Sequence, residues 1–202
     1  MFTGIITAIG GIAKITPCGG GIRLRVNAPA AWLRGAQIGG SIAVDGACLT
    51  AVEVGADFFA ADVSGESLRC CAPWRENGAV NLEHPLAAGG ALGGHFVSGH
   101  VGGIARLVRV SETGDGGKKM AFAPPPELLK YIVRKCSVAV AGVSLTAAEE
   151  GAGEFSVYAV PHTLAATTLG GWAAGTEANL ETDILAAHLE KLARFSAAGG
   201  VV

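Results

Sequence analysis

The chain has 202 residues, half of them apolar, with 16% charged and a net charge of −2. At a mean hydropathy of +0.44 it is too apolar and too weakly charged to stay disordered, so it must bury a core. Its basic residues are scattered (Arg23, Arg25, Arg106, Arg109, Lys118, Lys119), which gives no support to a nucleic-acid surface or a polybasic membrane anchor.

The N-terminus, Met1-Phe-Thr-Gly-Ile-Ile, has neither the basic region nor the apolar stretch of a signal peptide. Ala30–Arg34, after Pro29, predicts a short helix. Ser41–Val44 and Cys48–Val54 predict strands around Asp45-Gly46, a hairpin signal because glycine accepts the positive φ of a tight turn. Phe58–Val63 and Ala79–Glu83 predict two further strands, the second ending in a carboxylate. From His84 to Ala105 the chain carries no formal charge, but this run is too rich in glycine and histidine to span a bilayer. It contains Gly93-Gly-His-Phe-Val-Ser-Gly-His100, whose two histidines lack an acidic or cysteine partner at ligand spacing, so no metal is expected. His100 has two open readings, a general acid or base, or a histidine hydrogen-bonded in a domain junction. Pro124-Pro125-Pro126 ends a loop, and Glu127–Arg134 predicts a helix.

The next segment repeats an earlier one. Ser137–Glu149 is identical to Ser41–Glu53 at eight of 13 positions, at a spacing of 96. Phe59 and Leu68 fall on Phe155 and Leu164 at the same spacing, and Asn81-Leu-Glu83 falls on Asn179-Leu-Glu181 at a spacing of 98. Two copies imply tandem domains rather than a solenoid. Glu154–Val160 and Glu177–Glu181 are the matching late strands. About six short strands per copy, with 31 glycines and 6% aromatics overall, point to a small closed antiparallel barrel, which leaves no free edge. Asp183–Phe195 then predicts a helix absent from the first copy. Its stripe of Leu185, Leu189, Leu192 and Phe195 either packs on its own barrel or meets another subunit. Ala197–Val202 is expected to fray. The five cysteines (18, 48, 70, 71 and 136) are odd in number and form no Cys-x-x-Cys, which suits a reducing cytoplasm better than a disulfide framework or zinc ribbon. Cys48 and Ser144 are equivalent positions before Leu-Thr, and a lone strand cysteine is more often core than nucleophile.

Taken together, Met1-Phe-Thr-Gly-Ile-Ile, Ser41–Thr50, Gly93–His100, Gly142-Val-Ser-Leu-Thr, Pro161-His-Thr-Leu-Ala-Ala-Thr-Thr-Leu and Asn179–Asp183 resemble riboflavin synthase of the alpha-chain type, over nearly the whole chain. The resemblance implies an all-β fold of two six-stranded antiparallel barrels plus a C-terminal helix, divided as 1–96, 97–183 and 184–202. It implies a cytoplasmic homotrimer with no metal or redox cofactor, and lumazine synthase as an associated partner. The implied reaction moves a four-carbon unit between two molecules of 6,7-dimethyl-8-ribityllumazine, giving riboflavin and 5-amino-6-(ribitylamino)uracil. Implied catalytic residues are Ser41, Cys48, His100, Ser144, Thr146 and Asp183.

By the same resemblance, Gly4, Ile5, Ile6, Cys48, Leu49, Thr50, Asp62, Val63, Ser64, Gly65, Glu66 and Ser67 line a first pocket. Gly99, His100, Val101, Lys135, Ser144, Leu145, Thr146, Tyr158, Ala159, Val160, Pro161, His162 and Thr163 line a second. The family usually carries Asp where this chain has Ala141, so the second pocket is expected to lack a carboxylate that the first has in Asp45. Gly102 and Cys136 depart from the family pattern as well. Non-catalytic relatives, the lumazine proteins, tend to lose the Ser-Gly-His and Ser-Leu-Thr residues that stand here. The barrels of flavin-dependent reductases carry an Arg-x-Tyr-Ser motif that this chain lacks.

Overall fold

A computed structural model describes residues 1–197. In it the duplicated sequence folds into two closed six-stranded antiparallel barrels. The first is built from β1 (Ala8–Cys18), β2 (Gly21–Asn27), β3 (Ser41–Val44), β4 (Ala47–Val54), β5 (Phe58–Val63) and β6 (Ala79–Glu83). The second is built from β7 (Gly103–Glu112), β8 (Lys118–Ala123), β9 (Ser137–Val140), β10 (Val143–Gly151), β11 (Glu154–Ala159) and β12 (Glu177–Thr182). Round the first barrel the order is β1-β2-β5-β4-β3-β6, and the second has the same order in its own strands. The expected hairpins are present, with Asp45-Gly46 and Ala141-Gly142 as two-residue turns. All four turn residues have positive φ, as a hairpin of type I′ requires.

Each barrel closes over its own apolar core. Leu24, Val26, Phe59 and Leu82 fill the first, and Leu107, Phe122, Phe155 and Leu180 the second. Sequence pattern alone did not reveal β1, β2, β7 and β8. A bulge interrupts β1 between Ile12 and Lys14, and its twin interrupts β7 between Leu107 and Arg109. β4 and β10, which the sequence did reveal, carry a matching pair of bulges, between Ala51 and Glu53 and between Ala147 and Glu149, so the two copies bend at the same places.

Short helices cover the barrel ends: α1 (Ala30–Leu33), α2 (Gly65–Cys70), α3 (Pro126–Leu129) and α4 (Pro161–Ala166). The helix expected over Glu127–Arg134 shrinks to α3. The Tyr131 and Ile132 N–H groups donate to Leu128 and Leu129, three residues back, and Lys135 ends the segment at φ +73°. The last helix, α5 (Ile184–Ala197), starts where Asp183 Oδ1 accepts from the Leu185 N–H at 3.0 Å. Its polar side faces the barrel, where Glu190 accepts from Lys130 Nζ at 2.5 Å and from the Tyr131 hydroxyl. Leu185, Leu189, Leu192 and Phe195 are each more than half exposed, so the stripe does not pack on its own barrel. The tail beyond Ala197, expected to fray, lies outside the described residues.

The barrels meet across an approximate two-fold axis. Gly46 and Gly142 pack so closely that a Cβ on either would lie within 2.6–2.7 Å of the other's backbone nitrogen. Buried Asn81 and Asn179 lock the joint. Asn81 Nδ2 donates to the Ala141 carbonyl and Asn179 Nδ2 to the Asp45 carbonyl, at 2.9 and 2.8 Å. Their Oδ1 atoms accept from Thr168 N and Ala72 N, respectively, so both side-chain amides are satisfied across the interface.

Candidate active site

On β4 the inward residues Ala47, Leu49 and Ala51 are buried, which turns Cys48 and Thr50 outward. Ser41 on β3 and Asp62 on β5 flank Thr50 from either side, so three polar residues cross three strands in one row. Arg23 grips the Asp62 carboxylate through Nε and Nη2 at 2.6 and 2.9 Å, which holds its pKa below the usual carboxylate range. Just beyond, Ser64 Oγ accepts from the Ser67 N–H at 3.1 Å and caps α2. Gly65 opens α2, and Glu66 in its first turn pairs with Arg69. The expected pocket residues Leu49 and Val63 point into the core and offer this face only their backbone.

The second barrel repeats the face with different chemistry. Ser144 and Thr146 point outward from β10 and Tyr158 from β11, while Leu145 and Ala159 are buried. At the places of Arg23 and Asp62, Lys119 lies 5.6 Å from the Tyr158 ring centroid and pairs with Glu149 at 2.5 Å. Val160 precedes Pro161 at the start of α4, with exposed His162 and half-buried Thr163 in its first turn. Lys135 is exposed, and its N–H donates to the Ala147 carbonyl at 2.7 Å.

The segments that precede the barrels are exchanged, and this corrects the expected grouping. Gly4 was placed with the first pocket, yet its carbonyl accepts from Ser144 N of the second barrel at 2.8 Å. Ile6 packs against the second core. Conversely, the Gly99 carbonyl accepts from Cys48 N at 2.9 Å, and Val101 packs against the first core. Only glycine fits at either crossing. Gly4 and Gly99 have φ of +75° and +83°, and a Cβ on them would lie 2.6 Å from Ser144 Cβ and 2.5 Å from Cys48 Cβ. Gly4–Ile6 therefore completes the second face, and Gly99–Val101, with His100 exposed, completes the first.

Ala141 is a second correction. It is buried at the joint between the barrels, on a hairpin turn rather than on the outward face. Its twin Asp45 shows what a carboxylate does at this position, since Asp45 Oδ1 accepts from the Asn81 N–H at 2.8 Å. Burial pushes the Asp45 carboxyl up to about 7. The carboxylate missing at Ala141 thus belongs to the joint between the barrels and not to the outward face.

One residue absent from the expected set stands at the second face. His95 is 8% exposed, and its Nδ1 lies 2.7 Å from Ser144 Oγ. Its Nε2 is buried and has no hydrogen-bond partner among the described residues. Burial lowers the His95 pKa against an opposing pull from the negative charge of Asp183, so the ring is neutral at pH 7. A neutral imidazole against a hydroxyl, with a carboxylate nearby, is an arrangement able to move a proton. The two-histidine motif drew attention to this residue, but the repeat did not, because His95 precedes the second copy and has no counterpart in the first. No cluster of three or more His, Cys, Asp or Glu placed to hold a metal occurs among the described residues.

The side chains thus fall into two groups, Ser41, Cys48, Thr50, Asp62 and His100 on one face, and His95, Ser144, Thr146, Tyr158 and Asp183 on the other. Among the described residues no side-chain hydrogen bond joins one group to the other.

Comparisons with known proteins match this geometry. The model of the lumazine binding domain matches residues 3–85 and again 98–183. Riboflavin synthase of Photobacterium phosphoreum is 39% identical over 194 residues, covering 95% of this chain and 88% of that protein. Riboflavin synthase of Brucella abortus is 38% identical over 202 residues, covering 96% and 99%. Among solved structures, LumP complexed with riboflavin superposes with a TM-score of 0.83 at 25% identity, covering 90% of this chain and 99% of that one. LumP complexed with 6,7-dimethyl-8-(1'-D-ribityl) lumazine gives 0.81 at 24% identity, with the same coverage.

Proposed function

The chain belongs to the riboflavin synthase family, and from that premise we propose that its two outward faces hold the two substrate molecules of one reaction. The enzyme is a transferase acting on 6,7-dimethyl-8-ribityllumazine. One molecule gives up a four-carbon unit to the other, leaving riboflavin and 5-amino-6-(ribitylamino)uracil. Two identical reactants supply every atom of the two products, so no oxidant or reductant enters. The observation that carries this reading is the pair of faces itself: one strand framework, used twice, suits one ligand bound twice.

In this reading residues 1–96 and 97–183 are the two lumazine-binding units, and 184–202 joins subunits. Among the described residues the two polar groups of one chain make no hydrogen bond to each other, and in this reading the first face of one protomer stands opposite the second face of a neighbour. The outward apolar stripe of α5 supports such an assembly, a homotrimer in which the stripes meet. Holding both reactants stacked in one site supplies up to roughly 7–11 kcal/mol of the barrier when alignment is ideal.

Chemistry then needs a proton removed from a ring methyl group and returned elsewhere. His95 with Ser144, and Asp183 beside them, carry this on the second face. Cys48 and His100 serve the first, with Ser41, Thr50 and Thr146 as hydroxyl contacts. Backbone groups at Leu49, Val63, Leu145 and Ala159 read the ring edge, and the ends of α2 and α4, Ser64–Ser67 and Val160–Thr163, hold the ribityl chains. Five free cysteines suit reaction in a reducing cytoplasm. Association with lumazine synthase, which would hand over the substrate, is part of the same proposal.

The test is direct. Purified protein given 6,7-dimethyl-8-ribityllumazine, with no metal or nucleotide added, forms riboflavin and the uracil product in equal amounts. Lumazine that is bound and stays unchanged would contradict the reading and favour a ligand-holding protein.

A further inference from the structure

The crossing of the two N-terminal segments raises the question of what holds them there. Each lies on the barrel that it does not lead into, and each carries backbone N–H groups that no strand satisfies. A carboxylate meets those groups. Glu83, at the end of β6 in the first barrel, accepts from Thr3 N and Thr3 Oγ1 at 2.7 Å each and from Gly4 N at 3.0 Å. Glu181, on β12 in the second barrel, accepts from Ser98 N at 2.6 Å, Ser98 Oγ at 2.7 Å and Gly99 N at 3.0 Å. Both glutamates are buried, and among the described residues neither pairs with a cation. A buried carboxylate without a cation must be balanced by donors, and three on each supply that balance.

Once held, each segment shapes the face of the opposite barrel. With its N–H groups turned to Glu83, the Thr3–Gly4 segment presents its carbonyls to the second barrel. Thr3 O accepts from His95 N at 3.1 Å and Gly4 O from Ser144 N at 2.8 Å. The His95–Ser144 pair therefore leans on a segment fixed by a first-barrel residue. With its N–H groups turned to Glu181, the Ser98–Gly99 segment presents Gly99 O to Cys48 N. We propose that Glu83 and Glu181 are crossed positioning residues, each holding from one barrel the short extended segment that completes the substrate face of the other. Neither touches substrate. This rests on the two-face reading above, and it adds that each face depends on a side chain of the opposite barrel.

The crossing makes a signature that general loosening of a barrel would not give. The Ser144 amide, bonded to Gly4 O, reports on the second face, and the Cys48 amide, bonded to Gly99 O, reports on the first. Hydrogen exchange at both is measured by NMR in the full chain, for wild type, Glu83→Gln and Glu181→Gln. The amide keeps the shape but sets an NH2 against one of the N–H donors. Glu83→Gln is expected to speed exchange at Ser144 about tenfold or more, with Cys48 within twofold of wild type, and Glu181→Gln to do the reverse. Such a factor corresponds to one lost hydrogen bond to a charged group.

Riboflavin binding gives a second readout, through protection of Cys48 from alkylation for the first face and the His95 ring signals for the second. Glu83→Gln weakens binding at the second face and Glu181→Gln at the first. Should either variant fail to fold, Thr3→Val and Ser98→Ala remove the hydroxyls, which donate to the glutamates and accept from Ile5 N and His100 N, and are expected to show the same crossed pattern at smaller size. Exchange or binding lost on the variant's own barrel, or equally on both, would overturn the proposal. If wild type fails to bind riboflavin, the functional reading falls, and the exchange pattern still decides the clamp.

Discussion

The two barrels share strand order, bulge positions and hairpin type, and they differ in which polar atoms stand on the outward face. The first barrel carries a thiol at Cys48 and a bidentate Arg23–Asp62 pair. At the same places the second carries a hydroxyl at Ser144 and a Lys119–Tyr158 contact. The second alone adds His95 against Ser144, with Asp183 near it. Inward residues are constrained by a packed core and stay alike, whereas outward residues are free to diverge. On the proposed reading, duplication supplies two faces for one ligand, and divergence of the outward rows lets the two bound molecules take different parts.

The sharpest way to break the comparison is to separate the faces. Leu189→Glu with Leu192→Glu places charges in the α5 stripe. The expected result is dissociated protomers, seen by analytical ultracentrifugation, that bind riboflavin yet have lost nearly all turnover. Active protomers would show that one chain holds a complete site. Next in size, His95→Ala is expected to lower kcat by about 10²–10⁴-fold, the range for loss of a general acid or base. Because burial lowers the His95 pKa, wild-type kcat stays level through neutral pH and falls only below the ordinary histidine range, as the ring takes up a proton. A fall centred above pH 7 would point to another group.

The joint gives a stability contrast. Asp45 titrates near 7 in the folded protein and near 3.8 unfolded. The folded state therefore holds the extra proton between these values, and stability falls as pH rises from about 4 to about 7, by up to roughly 4 kcal/mol. Asp45→Asn removes this loss. It is expected to raise Tm clearly at pH 8 and much less at pH 5, by calorimetry; equal gains at both would contradict the assignment. The second barrel has no such group at Ala141, where the strain is conformational. Ala141 holds φ +45°, a region that asparagine tolerates better than alanine. Ala141→Asn is expected to add about 1 kcal/mol or less of stability in denaturant melts and to leave kcat/KM within twofold. A large change in kcat/KM would return Ala141 to the pocket.

The duplication was legible because Ser41–Glu53 and Ser137–Glu149 keep the same hairpin residues, and a hairpin is a local structure. The paired Asn-Leu-Glu ends of β6 and β12 were legible too, but not their tasks. Asn81 and Asn179 bond across the joint, and Glu83 and Glu181 hold segments about 80 residues away in the chain. Such contacts leave no local period. The same reason hid the exchange of Gly4 and Gly99, since reading along the chain assigns each to its own copy. His95 was hidden differently, as a residue outside the repeat. The apolar stripe of α5 was plain from spacing, whereas the direction it faces depends on Glu190 meeting Lys130 and Tyr131.

On the proposed reading, a working site takes its two faces from two copies of the chain. Cys48→Trp fills the first face, Ser144→Trp fills the second, and each variant alone should be inactive. Mixed during refolding, they form assemblies in which an open second face from one variant meets an open first face from the other. Riboflavin formation by the mixture, absent from either variant alone, is the predicted result. A mixture as inactive as its parts, with mixed assemblies verified by mass spectrometry, would contradict the claim.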